Sequence, residues 1–475
     1  MNEPPLQKKR MHETESATYK RTTTFSLVSY NILASGFTSP FKNTPSLDLL
    51  WTVRRKKIID ILLSYSTDVI CLQELQSSTR GWGRSVTGKD LEGPDHAQQI
   101  RVLLGNAGYD GCYQVVDDDS RSSDSAAKND ISWTAGKDSK RNSAWPVEGT
   151  PGSRIGNAIF WKKPWVCIAQ RPVLFSSVFM DLTKAKGDTK AWFQVKGMQV
   201  ALIVLLKNKA VEDGPLICVC NVHLPVPGNV KKATLQVQYA EALIVEAETM
   251  LRDLNLLSHV PIIITGDFNS TQPGYKDGSL ELNEHEGSPV YQLFTKGSLE
   301  GNPTLTAEFP LPFPNPTCGS LGKFMSAYAV INGSEPRFTN LRMVYDEKLL
   351  ETHVDSLIKA EIGEEDVDTL KIEQVKSKIL KKGLKDVPGE TKFCACLDYI
   401  FYRQPEGISE VSRDSSRSTP SSSSSSSLSR SVQLCPISVS KTPTIEEASA
   451  YCGALPSNEH PSDHVPISAK FEVSY

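Results

Sequence analysis

Short apolar segments that end in a polar side chain recur along the chain, and they constrain its fold more than any other feature. DVICLQE, LICVCNVHL and PIIITGDFN each have the length of a single strand and carry a polar residue at the end or one position before it. Strands that are apolar along their whole length are typical of sheets covered on both faces. The pattern therefore predicts an α/β protein whose sheets pack against each other or under helices.

Apolar residues recur at helical spacing in three segments between these strands. In residues 50–65, Ile58 and Leu62 lie on one face, and residues 232–254 keep the same spacing. A shorter candidate covers residues 96–107. Strands outnumber the helices, which are interspersed among them, as expected for an α/β fold.

Polar segments without apolar periodicity interrupt this pattern. We expect residues 1–24 to form a disordered tail, with ordered structure beginning at Phe25. Residues 25–475 then form one domain that carries three inserts, at about 117–152, 345–390 and 404–440. The second insert has the spacing of amphipathic helices, and the third contains a serine-rich tract that cannot pack into a core.

Composition excludes several classes of protein. The formal net charge of -3 lacks the basic excess of a protein held on nucleic acid by bulk charge. No apolar run approaches the ~18 residues of a transmembrane helix, and residues 1–21 lack the apolar segment of a secretory signal. Cys218, Cys220, Cys394 and Cys396 form C-x-C pairs, which we expect on buried strands. A reducing compartment, either the cytoplasm or the nucleus, fits this cysteine usage.

The polar residues at the segment ends are acids, carboxamides and histidines. They are Asn31, Glu74, His223, Asp267, Asn269, Asp398, Asp463 and His464. Strand ends commonly carry active sites, because rigid backbone there holds side chains that converge on one rim. Oxygen ligands suit Mg²⁺ or Mn²⁺, which also bind phosphate oxygens. These groups therefore indicate metal-assisted hydrolysis of a phosphate ester.

Each of these residues also has an ordinary structural explanation. Glu74 could stand where a strand meets water, and Asn31 could cap a turn. Asp267 and Asn269 could form an Asx turn, and His223 could be a buried, hydrogen-bonded imidazole. Taken singly, no residue decides between these explanations and a catalytic role. The order of the motifs changes that balance.

SYNIL, ICLQE, GNAIFW, NVHL, TGDFNS, LDYIFY and SDHVPI occur in the order expected of the endonuclease/exonuclease/phosphatase superfamily. Within it, the chain resembles the deadenylase branch, which includes the carbon-catabolite-repressor-4 type, Angel and nocturnin proteins. The resemblance extends from about residue 25 to residue 473 and is interrupted by the three inserts. It implies a DNase I-like α/β fold, a two-sheet sandwich with outer helices and a cleft at one edge.

Motif matching implies a role for each acid and amide. Glu74 would be the principal Mg²⁺ (or Mn²⁺) ligand, assisted by Asn31. Asp267 would orient or deprotonate the attacking water, while Asn269 would fix that acid and contact phosphate. Asp463 would add a metal ligand or orient a second ion. Which of Asp267 and Asp463 is base and which is ligand stays open.

The resemblance also implies roles for the histidines and for two residues that bind the substrate. His223 and His464 would stabilise the pentacovalent phosphate from two sides, with Asp398 holding the His464 ring. Pro227 would line a base pocket in which Phe393 stacks on adenine, although Phe393 could equally be a plain core residue. The long insert between Asn340 and Asp398 departs from the family pattern, so Asn340 is left out of the expected site.

The implied activity is that of a Mg²⁺-dependent 3′→5′ exoribonuclease acting on poly(A)-like RNA ends, with no membrane partner. One alternative is a phosphatase acting on a small phosphorylated molecule, either a dinucleotide or an inositol phosphate. Another is a non-catalytic homologue that binds RNA or a protein. The complete set of acids, amides and histidines favours a catalyst over the binding protein.

Overall fold

Two six-stranded β-sheets stack face to face at the centre of the molecule. The structure is a computed structural model, and it describes residues 21–38, 41, 44–77, 96–115, 155–175, 178, 199–226, 230–273, 287–299, 317–344, 347–362, 372, 374–376, 378–379, 391–405, 431–450 and 454–475. The strands and helices of the fold are counted within these residues.

Strands are numbered along the described chain. They are β1 (Thr22–Asn31), β2 (Val69–Gln76), β3 (Tyr109–Val115), β4 (Ile155–Lys162), β5 (Trp165–Leu174), β6 (Val200–Asn208), β7 (Leu216–His223), β8 (Ile262–Asp267), β9 (Met325–Ser326), β10 (Asn340–Val344), β11 (Thr391–Ala395), β12 (Asp398–Arg403), β13 (Gln433–Val439) and β14 (Ile467–Ser474). The first sheet has the order β13-β14-β1-β2-β4-β3, and the second has the order β5-β6-β7-β8-β12-β9. Strands β10 and β11 form a separate two-stranded sheet.

The helices connect these strands and cover the sheets. They are α1 (Ser46–Leu49), α2 (Trp51–Ser64), α3 (His96–Asn106), α4 (Val230–Asp253), α5 (Pro289–Lys296), α6 (Ala327–Asn332), α7 (Glu347–Ile362) and α8 (Ile445–Ser449). On the first sheet, Leu62 of α2 and Ile100 of α3 pack against Ile70. On the second sheet, Leu243 of α4 packs with Ile264. The two-sheet sandwich with outer helices is therefore confirmed.

Alternation along β7 explains why this strand is apolar throughout. Ile217 and Val219 belong to the core between the two sheets, together with Val69 from the first sheet. Cys218 and Cys220 point the other way and are buried in the layer beneath α4. Since successive side chains of a strand face opposite sides, both layers require apolar residues. The expectation that this C-x-C pair lies on a buried strand is confirmed.

Several details differ from the expected organisation. Strand β1 begins at Thr22, somewhat before Phe25, because it pairs with β14 from its first residue. Part of the region expected as an insert at 404–440 belongs to the first sheet, where β13 pairs with β14 as an edge strand. Helix α7 confirms the expected helical structure within 345–390. Cys394 lies on β11 and is partly exposed.

Other expectations fall on residues outside the described ones. These are the tail at 1–20, the whole of the 117–152 insert and the serine-rich tract at 419–430. Within the described part of the chain, no helix combines the length and the apolar character needed to cross a membrane.

Candidate active site

Strand register in the second sheet brings three of the expected site residues together. His223 at the end of β7 is opposite Asp267 of the parallel strand β8. Asp398 at the start of the antiparallel strand β12 is opposite the same Asp267. Gly266 has a φ of 141°, and a Cβ there would meet the Val222 carbonyl oxygen at 1.8 Å. Glycine is therefore required for β7 and β8 to approach this closely just before Asp267.

The first sheet contributes Asn31 and Glu74. Glu74 adopts a φ of 57°, and the pairing of β2 with β4 shifts between Leu72 and Leu75. Such an irregularity re-aims a strand side chain, and strained backbone of this kind is concentrated at functional sites. The Glu74 carboxylate accepts hydrogen bonds from Asn31 Nδ2 at 3.1 Å and from the Ala34 amide at 2.9 Å. The strain at Glu74 therefore serves to orient its carboxylate.

The Asn31 side chain joins the two halves of the site. Its Nδ2 also donates to Asp267 Oδ2 at 3.0 Å, so a single carboxamide links a carboxylate from each sheet. Its Oδ1 accepts from the Leu33 amide at 3.0 Å, which fixes the orientation of the group. Asn31 is fully buried, and every one of these contacts takes place in a low-dielectric environment.

Two histidines flank Asp267. His464 Nε2 lies 3.5 Å from Asp267 Oδ2, and its Nδ1 is 2.8 Å from Asp398 Oδ2. His223 Nε2 lies 3.5 Å from the same Asp267 oxygen and 4.0 Å from Glu74 Oε1. Asn269 orients the His223 ring, because its Nδ2 is 3.1 Å from His223 Nε2.

The backbone amide of Asn269 donates to Asp267 Oδ1 at 2.8 Å, and its side chain donates to the Leu224 carbonyl. Asn269 has a φ of 47°, which places it in the left-handed region that Asn tolerates better than most residues. This turn returns the chain toward the end of β7. Asn269 thus holds Asp267, as expected, and it also contacts His223.

Burial governs the charges in the site. It raises the pKa of Glu74 and of Asp267, with nearby imidazoles acting in the opposite direction. Burial alone would lower the pKa of His464, but the Asp398 and Asp267 carboxylates outweigh it and hold that pKa well above the usual range. His464 is therefore an imidazolium at neutral pH, with Asp398 as its main counter-ion.

The charge balance of the site fits a divalent cation. Among the described residues, the basic groups within 4.0 Å of the carboxylates of Glu74, Asp267 and Asp398 are the imidazoles of His223 and His464. Asp267, Asp398 and His464 have ligand atoms close enough together to hold a metal ion. Asp398 Oδ2 is already bonded to His464, however, so this group is better described as an ion pair than as an open metal site. The carboxylate oxygens at Glu74 suit a hard ion such as Mg²⁺ better than the group of Asp267, Asp398 and His464 does.

Asp463 is the expected residue with the most indirect link to this network. Its Oδ2 accepts a hydrogen bond from Asn340 Nδ2 at 3.0 Å. Asn340, which was left out of the expected site, pairs with His464 in an isolated β-bridge. The long insert did not displace it, because β10 and β11 pair directly, with Asn340 opposite Ala395. The structure therefore places Asn340 beside Asp463 and His464, and its part in the chemistry stays a prediction.

Arg54 supports the site and was missed entirely. The residue is fully buried, and its guanidinium donates to the carbonyls of Ile32, Leu33 and Pro461 at 2.9–3.0 Å. These carbonyls belong to the loop after β1 and the loop before β14. Arg54 belongs to an RRKK sequence typical of a solvated helix face, so the sequence carries no signal of its burial.

The two expected substrate-binding residues have different outcomes. Phe393 lies on β11, half-buried, with the Arg342 guanidinium over its ring. Its stacking on a base stays a prediction. Pro227 lies outside the described residues.

A family model confirms the class of protein to which this site belongs. Residues 28–464 match the Endonuclease/Exonuclease/phosphatase family, and the match spans most of the chain. The chain therefore belongs to this family of hydrolytic enzymes that act on phosphate esters.

Individual relatives are more distant. The chain is 24% identical over 307 residues to carbon catabolite repressor protein 4 homolog 1 of Arabidopsis thaliana, a match covering 61% of this chain and 42% of the relative. It is 26% identical over 336 residues to the CCR4-Not complex 3′-5′-exoribonuclease subunit Ccr4 of Candida albicans, covering 68% and 35%. The chain thus spans less than half the length of these relatives. A crystal structure of ANGEL2, a 2′,3′-cyclic phosphatase, matches with a TM-score of 0.49 at 18% identity, over 95% of this chain and 96% of that one.

Proposed function

We propose that this protein is a Mg²⁺-dependent 3′→5′ exoribonuclease that shortens poly(A)-like RNA ends. The observation that carries the proposal is the unbroken series of polar contacts from Glu74 through Asn31 and Asp267 to His464 and Asp398. The name of the Candida albicans relative, a 3′-5′-exoribonuclease subunit, supports the choice of RNA as substrate.

Glu74, assisted by Asn31, would hold Mg²⁺ (or Mn²⁺), with Asp463 as a further candidate ligand. When bound, the ion supplies positive charge to the phosphate oxygens. The Glu74 carboxylate suits such an ion for two reasons. Its side chain is 12% exposed, so the carboxylate is partly accessible. Burial raises its pKa, and a bound cation would offset that effect.

Asp267 is the residue that orients or deprotonates the attacking water. The Asn269 amide and Asn31 fix its two oxygens, so the carboxylate is held in one orientation before substrate arrives. Its raised pKa makes it a stronger base than an exposed aspartate, which favours proton abstraction.

The two histidines stabilise the charge that builds up on the phosphate. His464 is an imidazolium whose Nε2 lies 3.5 Å from Asp267 Oδ2, and His223 Nε2 lies at the same distance from that oxygen. Hydrogen-bond donors preorganised toward developing negative charge in a buried site are usually the largest catalytic contribution. Asp398 keeps the His464 ring protonated and correctly oriented.

One experiment separates the candidate activities. Purified protein receives 5′-labelled oligo(A), a mixed-sequence RNA, a phosphorylated dinucleotide or inositol phosphates, each with Mg²⁺ or with EDTA. We expect stepwise shortening of oligo(A), which EDTA and Glu74→Ala abolish. The control is Glu246→Ala, which removes a half-buried carboxylate on α4 that pairs with Arg171.

Phosphate release from the small molecules alone would overturn the exoribonuclease proposal in favour of a phosphatase. Absence of turnover on every substrate would favour a binding protein.

We also propose that the protein works in the cytoplasm or the nucleus. Its support is that the cysteines in the described part of the chain are all free.

A further inference from the structure

Arg342 and Phe393 form a cation–π pair on the two-stranded β10–β11 sheet. The Arg342 Cζ atom lies 4.8 Å from the centroid of the Phe393 ring. The two residues are directly opposite each other in the antiparallel register, and both are half-buried. Backbone pairing therefore fixes the guanidinium against the ring.

The pair lies on the side of this sheet that faces the active site. Side chains alternate along a strand, so Arg342 shares its face with Asn340, whose amide contacts Asp463. Leu341 and Met343 occupy the opposite face and pack in an apolar cluster with Leu455. Arg342 is therefore about 7 Å along the strand from a residue that contacts the site.

The Arg342 guanidinium has no anionic partner among the residues that the structure describes. Among the residues that the structure describes, its Nε is buried without a hydrogen-bond partner. No described carboxylate forms an ion pair with it, in contrast to Arg171, which pairs with Glu246 and Asp253. A buried donor without a partner carries a free-energy cost unless a ligand satisfies it.

Phosphate is the anion whose shape best matches this group. A guanidinium presents a planar fork of N–H donors that binds two phosphate oxygens at once. Packing one face of the fork on Phe393 leaves its edge available, and it reduces the rotamer freedom that would be lost on binding. The neighbouring site is built to hydrolyse a phosphate ester, so a substrate with a second phosphate could reach both positions.

We propose that Arg342, held flat on Phe393, binds a second phosphate of the substrate, adjacent to the one that is hydrolysed. This inference rests on the proposed hydrolysis of a nucleotide substrate and specifies a group that the substrate carries. The second phosphate is either the next internucleotide phosphate of an RNA strand or a terminal phosphate of a small dinucleotide. Phe393 then positions Arg342, and that face of its ring is not available to a base.

Binding to an inactive protein tests the inference independently of turnover. In an Asp267→Asn background with Mg²⁺, the affinity for a labelled adenosine trinucleotide is compared with that for an analogue whose linkage next to the 3′-terminal one is a neutral methylphosphonate. Loss of one charge-assisted contact corresponds to about a tenfold change in affinity. We expect the neutral linkage to weaken binding by that factor.

Arg342→Gln is expected to weaken binding of the charged trinucleotide by about tenfold and to leave the neutral analogue unchanged. Arg342→Lys recovers only part of the loss, because an ammonium lacks the planar fork. Phe393→Leu also weakens binding of the charged trinucleotide more than that of the analogue. Arg337→Gln is the matched control, since Arg337 is exposed and precedes the same strand.

Equal weakening of both ligands by Arg342→Gln would show a structural role and overturn the inference, and so would no effect on either. A second arm measures the KM of the active enzyme for a dinucleotide with and without a terminal phosphate. If the wild type leaves oligo(A) intact but Arg342→Gln raises KM only for the phosphorylated dinucleotide, the exoribonuclease proposal fails and this inference stands. If oligo(A) is shortened and Arg342→Gln changes neither the binding of the trinucleotides nor the KM of either dinucleotide, this inference fails and the exoribonuclease proposal stands.

Discussion

The candidate active site has two halves that are held in place by different means. His223, Asp267 and Asp398 occupy opposing positions on three hydrogen-bonded strands, so backbone register sets their spacing. Asn31 and His464 lie next to loops, after β1 and before β14.

These loops depend on side chains. Arg54 donates to carbonyls of both, and Ser462 Oγ donates to the Asn31 carbonyl at 2.6 Å. Changes in the strand half should therefore affect chemistry with little effect on folding. Changes in the loop half should affect both.

The largest effect is expected from Asp267→Asn in the strand half. Loss of the carboxylate should lower kcat about 10³-fold, because the water loses the group that orients or deprotonates it. The free energy of unfolding should change little, because neutralising a buried carboxylate offsets the hydrogen bond that is lost where the new amide nitrogen faces a donor. Single-turnover kinetics and urea unfolding measure the two quantities, with the exposed Asp253→Asn as control. A large loss of stability would contradict register as the main determinant of this half.

Asp398→Asn should give the next largest effect, and the effect depends on pH. Burial lowers the pKa of His464 and Asp398 raises it, so the variant should have a lower His464 pKa. The imidazolium exists below that pKa, so the alkaline fall in kcat should move to lower pH, with about a 10²-fold loss at pH 8.

The stability contributed by the Asp398–His464 pair has the same sign. It is fully present below the ordinary histidine pKa of about 6.5 and is lost as pH rises through the raised value. A pH–rate profile of wild type and variant tests the shift. An unchanged alkaline limb would mean that His464 does not act as an imidazolium.

Arg54→Met tests the loop half. Four carbonyls would lose their donor in a buried site, so the free energy of unfolding should fall by about 3 kcal/mol or more. We expect kcat to fall about tenfold as the loops carrying Asn31 and His464 lose their alignment. Arg171→Met, which removes a surface ion pair, should cost less than ~1 kcal/mol. Arg54→Lys should restore part of the stability; if stability falls with kcat unchanged, the loops are aligned without Arg54.

The smallest effect is expected from Asn340→Ala. The change removes the donor to Asp463 Oδ2, while the β10–β11 register keeps the backbone in place. We expect kcat to fall about threefold, in keeping with a single lost hydrogen bond of under ~1 kcal/mol net. Titration of activity with Mg²⁺ measures whether the apparent metal affinity falls as well. A loss as large as that of Asp267→Asn would place Asn340 in direct contact with substrate or metal.

Much of the fold follows from local patterns. The apolar strands and the helices at Trp51–Ser64, His96–Asn106 and Val230–Asp253 lie close to the segments expected from their periodicity. The edge strand β13 was not expected, because its alternate residues face solvent and it follows a serine-rich tract. An edge strand gains its definition from the partner β14, not from its own sequence.

The sequence alone shows which chemical groups lie at the strand ends that form the candidate site. Each buried strand that ends in an acid, amide or histidine marks a chemical group at a strand end, and motif order related Asn31, Glu74 and Asp267 to one family. Only the tertiary structure shows which of these groups are in contact. The fold buries Arg54 out of a run of four basic residues, brings Asn340 into contact with Asp463 across a long insert, and places Arg342 on Phe393. These contacts join residues far apart in the chain, and local sequence periodicity carries no information about pairing over such separations.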